Sequence, residues 1–155
     1  MRKQLLILSL FVLPVLAAQA ETPQERGRYL SVIAGCNDCH TSGFGQSGGK
    51  LPESQWLTGD STGWHGPWGT TYAVNLRSLV SNLTPQAWIT LARNSNARPP
   101  MPTYILKAMP DSDLLALYEF IRSLGNNPTV IPAALPPGQK PQTAYINFTP
   151  VLPEK

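Results

Sequence analysis

The chain has 155 residues, a length that suits one domain, and 42% of them are hydrophobic. Twelve Lys and Arg stand against nine Asp and Glu. No basic run occurs beyond the N-terminus, which argues against a nucleic-acid or other polyanion-binding surface.

In chain order, Arg2 and Lys3 precede an almost wholly apolar run over residues 5–15, and Ala18-Gln19-Ala20 follows as a small-x-small cleavage site. This pattern predicts a secretory signal peptide over residues 1–20; an uncleaved anchor is the competing reading. The apolar run is shorter than the roughly 20 residues of a membrane span, so no span is expected in the mature chain. Without the leader, ten cations face nine acidic groups, a net charge of +1.

Thr22-Pro23-Gln24-Glu25 predicts a helix start, with Thr22 as cap, Pro23 in the first turn and Glu25 closing a capping box. Tyr29, Leu30 and Ile33 continue it at helical spacing until Gly35. From residue 41 to 70 the composition turns to Gly, Ser, Thr, Pro and Trp, which predicts an irregular, ordered loop. Thr84 and Pro85 open a second helix through Trp88, Leu91 and Ala92 to about Arg93. Arg98-Pro99-Pro100-Met101-Pro102 is expected to be rigid and extended. The last helix is predicted from Asp111 as cap, with Leu114, Leu117, Tyr118, Ile121 and Leu124 as its apolar face and Gly125 as its stop. Residues 128–155 are proline-rich, without helical periodicity, and are expected to lie extended along the body or to hang partly free. There is no clear β-sheet pattern, although single strands could hide in the loops, and the expected class is all-α.

The chemistry concentrates at Cys36-Asn37-Asp38-Cys39-His40, directly after the first helix. It matches C-x-x-C-H, the attachment signature of c-type haem. Two thiols three residues apart can add to the two vinyl groups of one porphyrin, and the next residue brings an imidazole to the iron from the same side. Three other readings compete. A disulfide would close so short a loop that it would stabilise little. A thioredoxin-like pair expects a βαβ setting, and here a helix precedes the motif. A zinc site needs about four ligands, and the chain offers two Cys and two His, with His65 distant in sequence.

With this motif the chain resembles the class I c-type cytochromes. The resemblance covers about residues 23–124: a helix, C-x-x-C-H, irregular loops, a Met-Pro segment and a terminal helix. It implies a cytochrome c-like fold with few helices and long irregular loops around one covalent haem c. It also implies a close crossing of the first and last helices, for which Gly27 and either Tyr118 or Phe120 are the candidates. Electron transfer by a His/Met-ligated iron with a partly exposed haem edge is the implied activity. The division expected is a signal peptide over 1–20, a cytochrome c domain over 21–127 and a Pro-rich extension over 128–155.

His40 is one expected iron ligand and Met101 the other. Met101 stands between two prolines in a loop that no helix claims, which stiffens the backbone behind its thioether. Met109 is the competing methionine, but it directly precedes the last helix, where an apolar residue commonly packs near the cap. His65 is the remaining imidazole, and a bis-histidine site would use it; a hydrogen-bonding role is the plainer reading. Trp68, Tyr72 and Arg77 all carry donors that could bind haem propionates, although ordinary loop packing with a surface Arg accounts for them nearly as well. The Pro-Trp-Gly-Thr stretch with Arg-Pro-Pro-Met-Pro resembles segments of cytochrome subunits associated with exported dehydrogenases.

The expected role is therefore a periplasmic electron carrier rather than an enzyme, serving an exported dehydrogenase or a terminal oxidase. A haem-based enzyme or gas sensor with an open sixth position is the alternative. In a third arrangement the Pro-rich tail docks the haem domain onto its redox partner.

Overall fold

The computed structural model describes residues 20–153, so the leader expected over 1–20 lies outside the described residues but for Ala20. Helix α1 spans Pro23–Ile33 and opens as its sequence predicts. The Glu25 amide donates to Thr22 Oγ1, while the Thr22 amide donates back to the Glu25 carboxylate at 2.8 Å. Two otherwise orphaned amides are satisfied together. Gly35, at φ 69, turns the chain out of α1 into the short helix α2, Cys36–His40.

Four more helices follow: α3 Leu76–Ser81, α4 Pro85–Arg93, α5 Thr103–Ala108 and α6 Asp111–Ser123. Thr84 caps α4 by accepting from the Ala87 amide. Asp111 does not cap α6. Pro110 stands at the cap position, and the Asp111 carboxylate instead takes a hydrogen bond from Arg93.

Helices α1 and α6 make the main packing contact. A Cβ on Gly27 would lie 2.0 Å from the Ala116 carbonyl oxygen and 2.7 Å from Phe120 Cβ, so only glycine allows this approach. Phe120 is thus the aromatic partner of Gly27. The Tyr118 hydroxyl instead donates to the Leu83 carbonyl beyond α3. Arg26 grips Asp113 with two parallel hydrogen bonds of 3.0 Å. Helix α4 joins through Trp88, whose indole N–H donates to the Leu114 carbonyl at 2.7 Å. Leu114, Leu117, Ile121 and Val80 are fully buried at the centre.

The all-α expectation is overturned by a three-stranded mixed sheet in the order β2-β1-β3. Strands β1 (Gly63–Gly66) and β2 (Gly69–Thr71) form an antiparallel hairpin, and β3 (Tyr145–Asn147) lies parallel to β1. The hairpin is too short and glycine-rich to show an apolar alternation, and β3 comes from the proline-rich tail. The pairing is long-range, and local patterning carries no trace of it.

The tail lies along the body. Asn75 caps α3 with its oxygen and donates through its nitrogen to the Asn127 and Thr129 carbonyls, each at 3.0 Å. Leu135 exchanges both backbone hydrogen bonds with Thr70, and Phe148 packs on Trp64 and Trp68. No helix among the described residues is long and apolar enough to cross a membrane.

Candidate functional site

Within α2, positions 36, 39 and 40 stand at i, i+3 and i+4, so they share one helix face. All three line a cavity of about 400 Å³. Its walls are apolar, with Leu57, Leu79, Trp88, Leu117 and Ile121 bringing the core up to it. A volume and lining of this kind suit a large, mostly apolar ligand.

His40 is buried, and its Nδ1 lies 2.8 Å from the Val74 carbonyl oxygen. A carbonyl only accepts, so Nδ1 carries the proton and Nε2 is the nitrogen with the free lone pair. Burial lowers the His40 pKa, against a smaller upward pull from the Val74 hydrogen bond. The ring is therefore neutral near pH 7 and in the form that binds a metal, with its other nitrogen oriented by a backbone oxygen.

Cys36 and Cys39 are both free thiols. Burial pushes the Cys36 thiol up to about 11, and burial with help from Asp38 and Asp60 raises Cys39. A reactive redox pair has a depressed thiol pKa, so the thioredoxin-like reading loses its physical basis. A zinc site is not assembled either: among the described residues no three His, Cys, Asp or Glu come together as a metal-binding group.

The motif is held by residues that sequence reasoning missed. Asn37, fully buried between the two cysteines, accepts from Thr41 Oγ1 at 2.7 Å, and Thr41 Oγ1 accepts from the Leu57 amide at 2.7 Å. Leu57 sits in the left-handed region at φ 59, where a bulky residue is strained, and its side chain lines the cavity. Such strain persists only where surrounding structure enforces it, and it gathers at functional sites. Nothing in the residue types marks these roles, because they depend on contacts between distant segments.

Met101 lines the same cavity between Pro100 and Pro102, both of which line it too. Met109 is buried in the core cluster and does not line it. His65 points away. Neighbouring strand residues face opposite sides, so Trp64 reaches the cavity while His65 Nδ1 pairs with Thr70 Oγ1 at 2.8 Å.

The three expected propionate donors separate. Tyr72 lines the cavity, with its hydroxyl 3.1 Å from Thr143 Oγ1. Arg77 does not: it is buried, and its guanidinium donates to the carbonyls of Trp56, Glu53 and Leu124. Its position at the start of α3 turns it into the core. Trp68 also lies outside the lining, stacked over Gly66 and against Phe148, with its buried indole nitrogen making no hydrogen bond among the described residues. Arg98, unassigned by sequence reasoning, lines the cavity instead.

The donor set and the cavity fit a haem: two protonated thiols and a neutral imidazole on one helix face, a thioether in the same pocket and apolar walls. Comparison of the chain with protein-family models, curated proteins and solved structures gave no match.

Proposed function

We propose that this chain is an exported c-type cytochrome that carries electrons in the periplasm, related to the class I c-type cytochromes but with an added sheet. The observation that carries the reading is the convergence of Cys36, Cys39, His40 and Met101 on one apolar cavity. Bound there, haem c would supply an iron that takes up and gives back one electron.

Each residue then has a definite task. Cys36 and Cys39 would hold the group through thioether bonds. His40 would bind the iron through Nε2, its ring held at Nδ1 by the Val74 carbonyl. Met101 would supply a thioether ligand, and methionine ligation raises the reduction potential. Leu57, Leu79, Leu117 and Ile121 exclude water, which reduces the reorganisation around a changing charge and tunes the potential. Of the three expected propionate donors, Tyr72 is the one in the lining. His65, turned away toward Thr70, leaves the sensor or peroxidase alternative without a second imidazole in the cavity. The electron donor and acceptor are proposed to be exported redox proteins, a dehydrogenase or a terminal oxidase.

The test is an optical spectrum of the full-length protein produced with a haem-attachment system, oxidised and reduced, with and without carbon monoxide. Haem that stays on the denatured polypeptide, a far-red band from sulfur on ferric iron and no carbon monoxide binding are expected. Cys36→Ser with Cys39→Ser should release the haem on denaturation, and Met101→Ala should lower the potential and admit carbon monoxide. A parent protein that takes up no haem would overturn the reading.

A further inference from the structure

Met101 is delivered by a segment with little structure of its own. Pro99, Pro100 and Pro102 fix their φ angles but have no N–H, so they contribute no donors that could tie the segment down. The anchoring falls to side chains. Thr71 Oγ1 donates to the Pro99 carbonyl at 2.7 Å. Arg98, three residues before Met101, sends Nη1 to two carbonyls at once, Trp68 at 2.8 Å and Leu135 at 2.9 Å. The first belongs to the turn between β1 and β2, the second to the C-terminal tail.

That second anchor is itself fixed. The Thr70 amide donates to the Leu135 carbonyl at 3.0 Å and the Leu135 amide returns a bond to Thr70 at 2.9 Å. A Cβ on Gly69 would stand 2.2 Å from the Leu135 oxygen, so the hairpin and the tail meet backbone to backbone. Ala134, the residue before Leu135, lines the cavity along with Arg98 and Met101.

We propose that Arg98 is the positioning residue for the Met101 thioether, clamping the Met101 segment to the hairpin turn and to the tail at Leu135. The inference rests on the haem reading above. A charged donor that satisfies two backbone oxygens is worth more than a neutral hydrogen bond such as the one from Thr71. Without the clamp, the Met101 segment keeps its proline stiffness but loses its registry with the cavity. The tail then has a task inside the domain: its carbonyl at Leu135 would help hold the Met101 segment against the cavity.

The test uses the full-length, haem-loaded protein and three variants, Arg98→Met, Arg98→Lys and Thr71→Val. In Arg98→Met the fraction with Met101 off the iron, read as carbon monoxide binding to the ferrous protein, should rise roughly tenfold, the scale of one hydrogen bond to a charged group. The far-red sulfur band should vanish on heating well before the far-ultraviolet helix signal does. Arg98→Lys keeps a donating nitrogen on a chain one bond shorter and should recover part of the loss. Thr71→Val should give a smaller shift in the same direction, and it carries the test should Arg98→Met fail to accumulate. A sulfur band in Arg98→Met that persists until the helices unfold would show Arg98 to be merely structural, and so would Thr71→Val indistinguishable from parent if it stands alone. A parent protein that lacks the band would instead bring down the haem reading, and this proposal with it.

Discussion

Helices α1 and α6 meet through side chains, and through the absence of one at Gly27, whereas the three strands meet through short backbone ladders with a few side-chain contacts, His65 with Thr70 and with Tyr145 among them. In the helical region the longer elements α1, α4 and α6 are specified within their own dozen residues by helix-start residues and an apolar face. In the sheet each strand has only three or four residues, and all three residues of β3 are exposed. The helical core therefore supplies most of the stabilisation, and the sheet with its tail supplies placement. The candidate site lies between them, with Cys36, Cys39 and His40 on the helical side and the Met101 segment tied to the sheet.

The largest effect should come from filling the helix crossing. Gly27→Ala would set a methyl group 2.0 Å from the Ala116 oxygen, which backbone cannot yield without separating α1 from α6. A loss of roughly 4 kcal/mol or more is expected, read as a collapse of the thermal transition or as failure to accumulate. A protein of near-parental stability would show that the two helices do not pack this closely.

Next comes Arg77, which joins the early loop to the end of α6. Arg77→Met keeps much of the apolar stem but strips hydrogen bonds from three carbonyls. Denaturant titration should show a loss of about 3 kcal/mol. If haem binding changed and stability did not, Arg77 would face the cavity after all.

Deleting residues 145–155 sharpens the contrast from the other side. It removes β3 and uncovers Trp64 and Trp68 by taking away Phe148. Because Phe148 is itself exposed at 42%, a loss of about 1–2 kcal/mol is expected, with the helix signal unchanged and tryptophan emission shifted to the red. A cooperative loss of helix would mean that the sheet holds the helical core together.

The smallest effect concerns acid. Hydrogen bonds from Arg26 hold the Asp113 carboxyl below its ordinary value of 3.8. A carboxyl whose folded pKa is depressed stabilises fully above the unfolded value and loses that contribution as pH falls through the folded one. Parent and Asp113→Asn should therefore differ by no more than about 2 °C in Tm near neutrality, since the pair is solvated, and should converge below pH 3.8. A gap that persists in strong acid would mean that the contact is not electrostatic.

Much of the site was readable because its motif is local. Cys36, Cys39 and His40 depend on spacing along one short helix, and Met101 was separable from Met109 by its flanking prolines. Trp68 and Arg77 lie outside the cavity lining for a different reason. Both carry donors, but a donor satisfied by distant carbonyls or packed beneath an aromatic ring looks the same in sequence as one facing a cavity. Helices α3 and α5 were missed because each has only six residues, too few for an apolar period to repeat.

By itself the sequence determined helices α1, α4 and α6, the end of α1 at Gly35 and the C-x-x-C-H spacing, since caps, spacing and backbone preference act over a few residues. Only the tertiary structure decided that Phe120 faces Gly27, that Val74 orients His40, that Arg77 turns into the core, and that Leu135 and Arg98 meet beside Met101. Those outcomes join segments from about 20 to 90 residues apart, most of them through backbone oxygens, which every residue type carries alike.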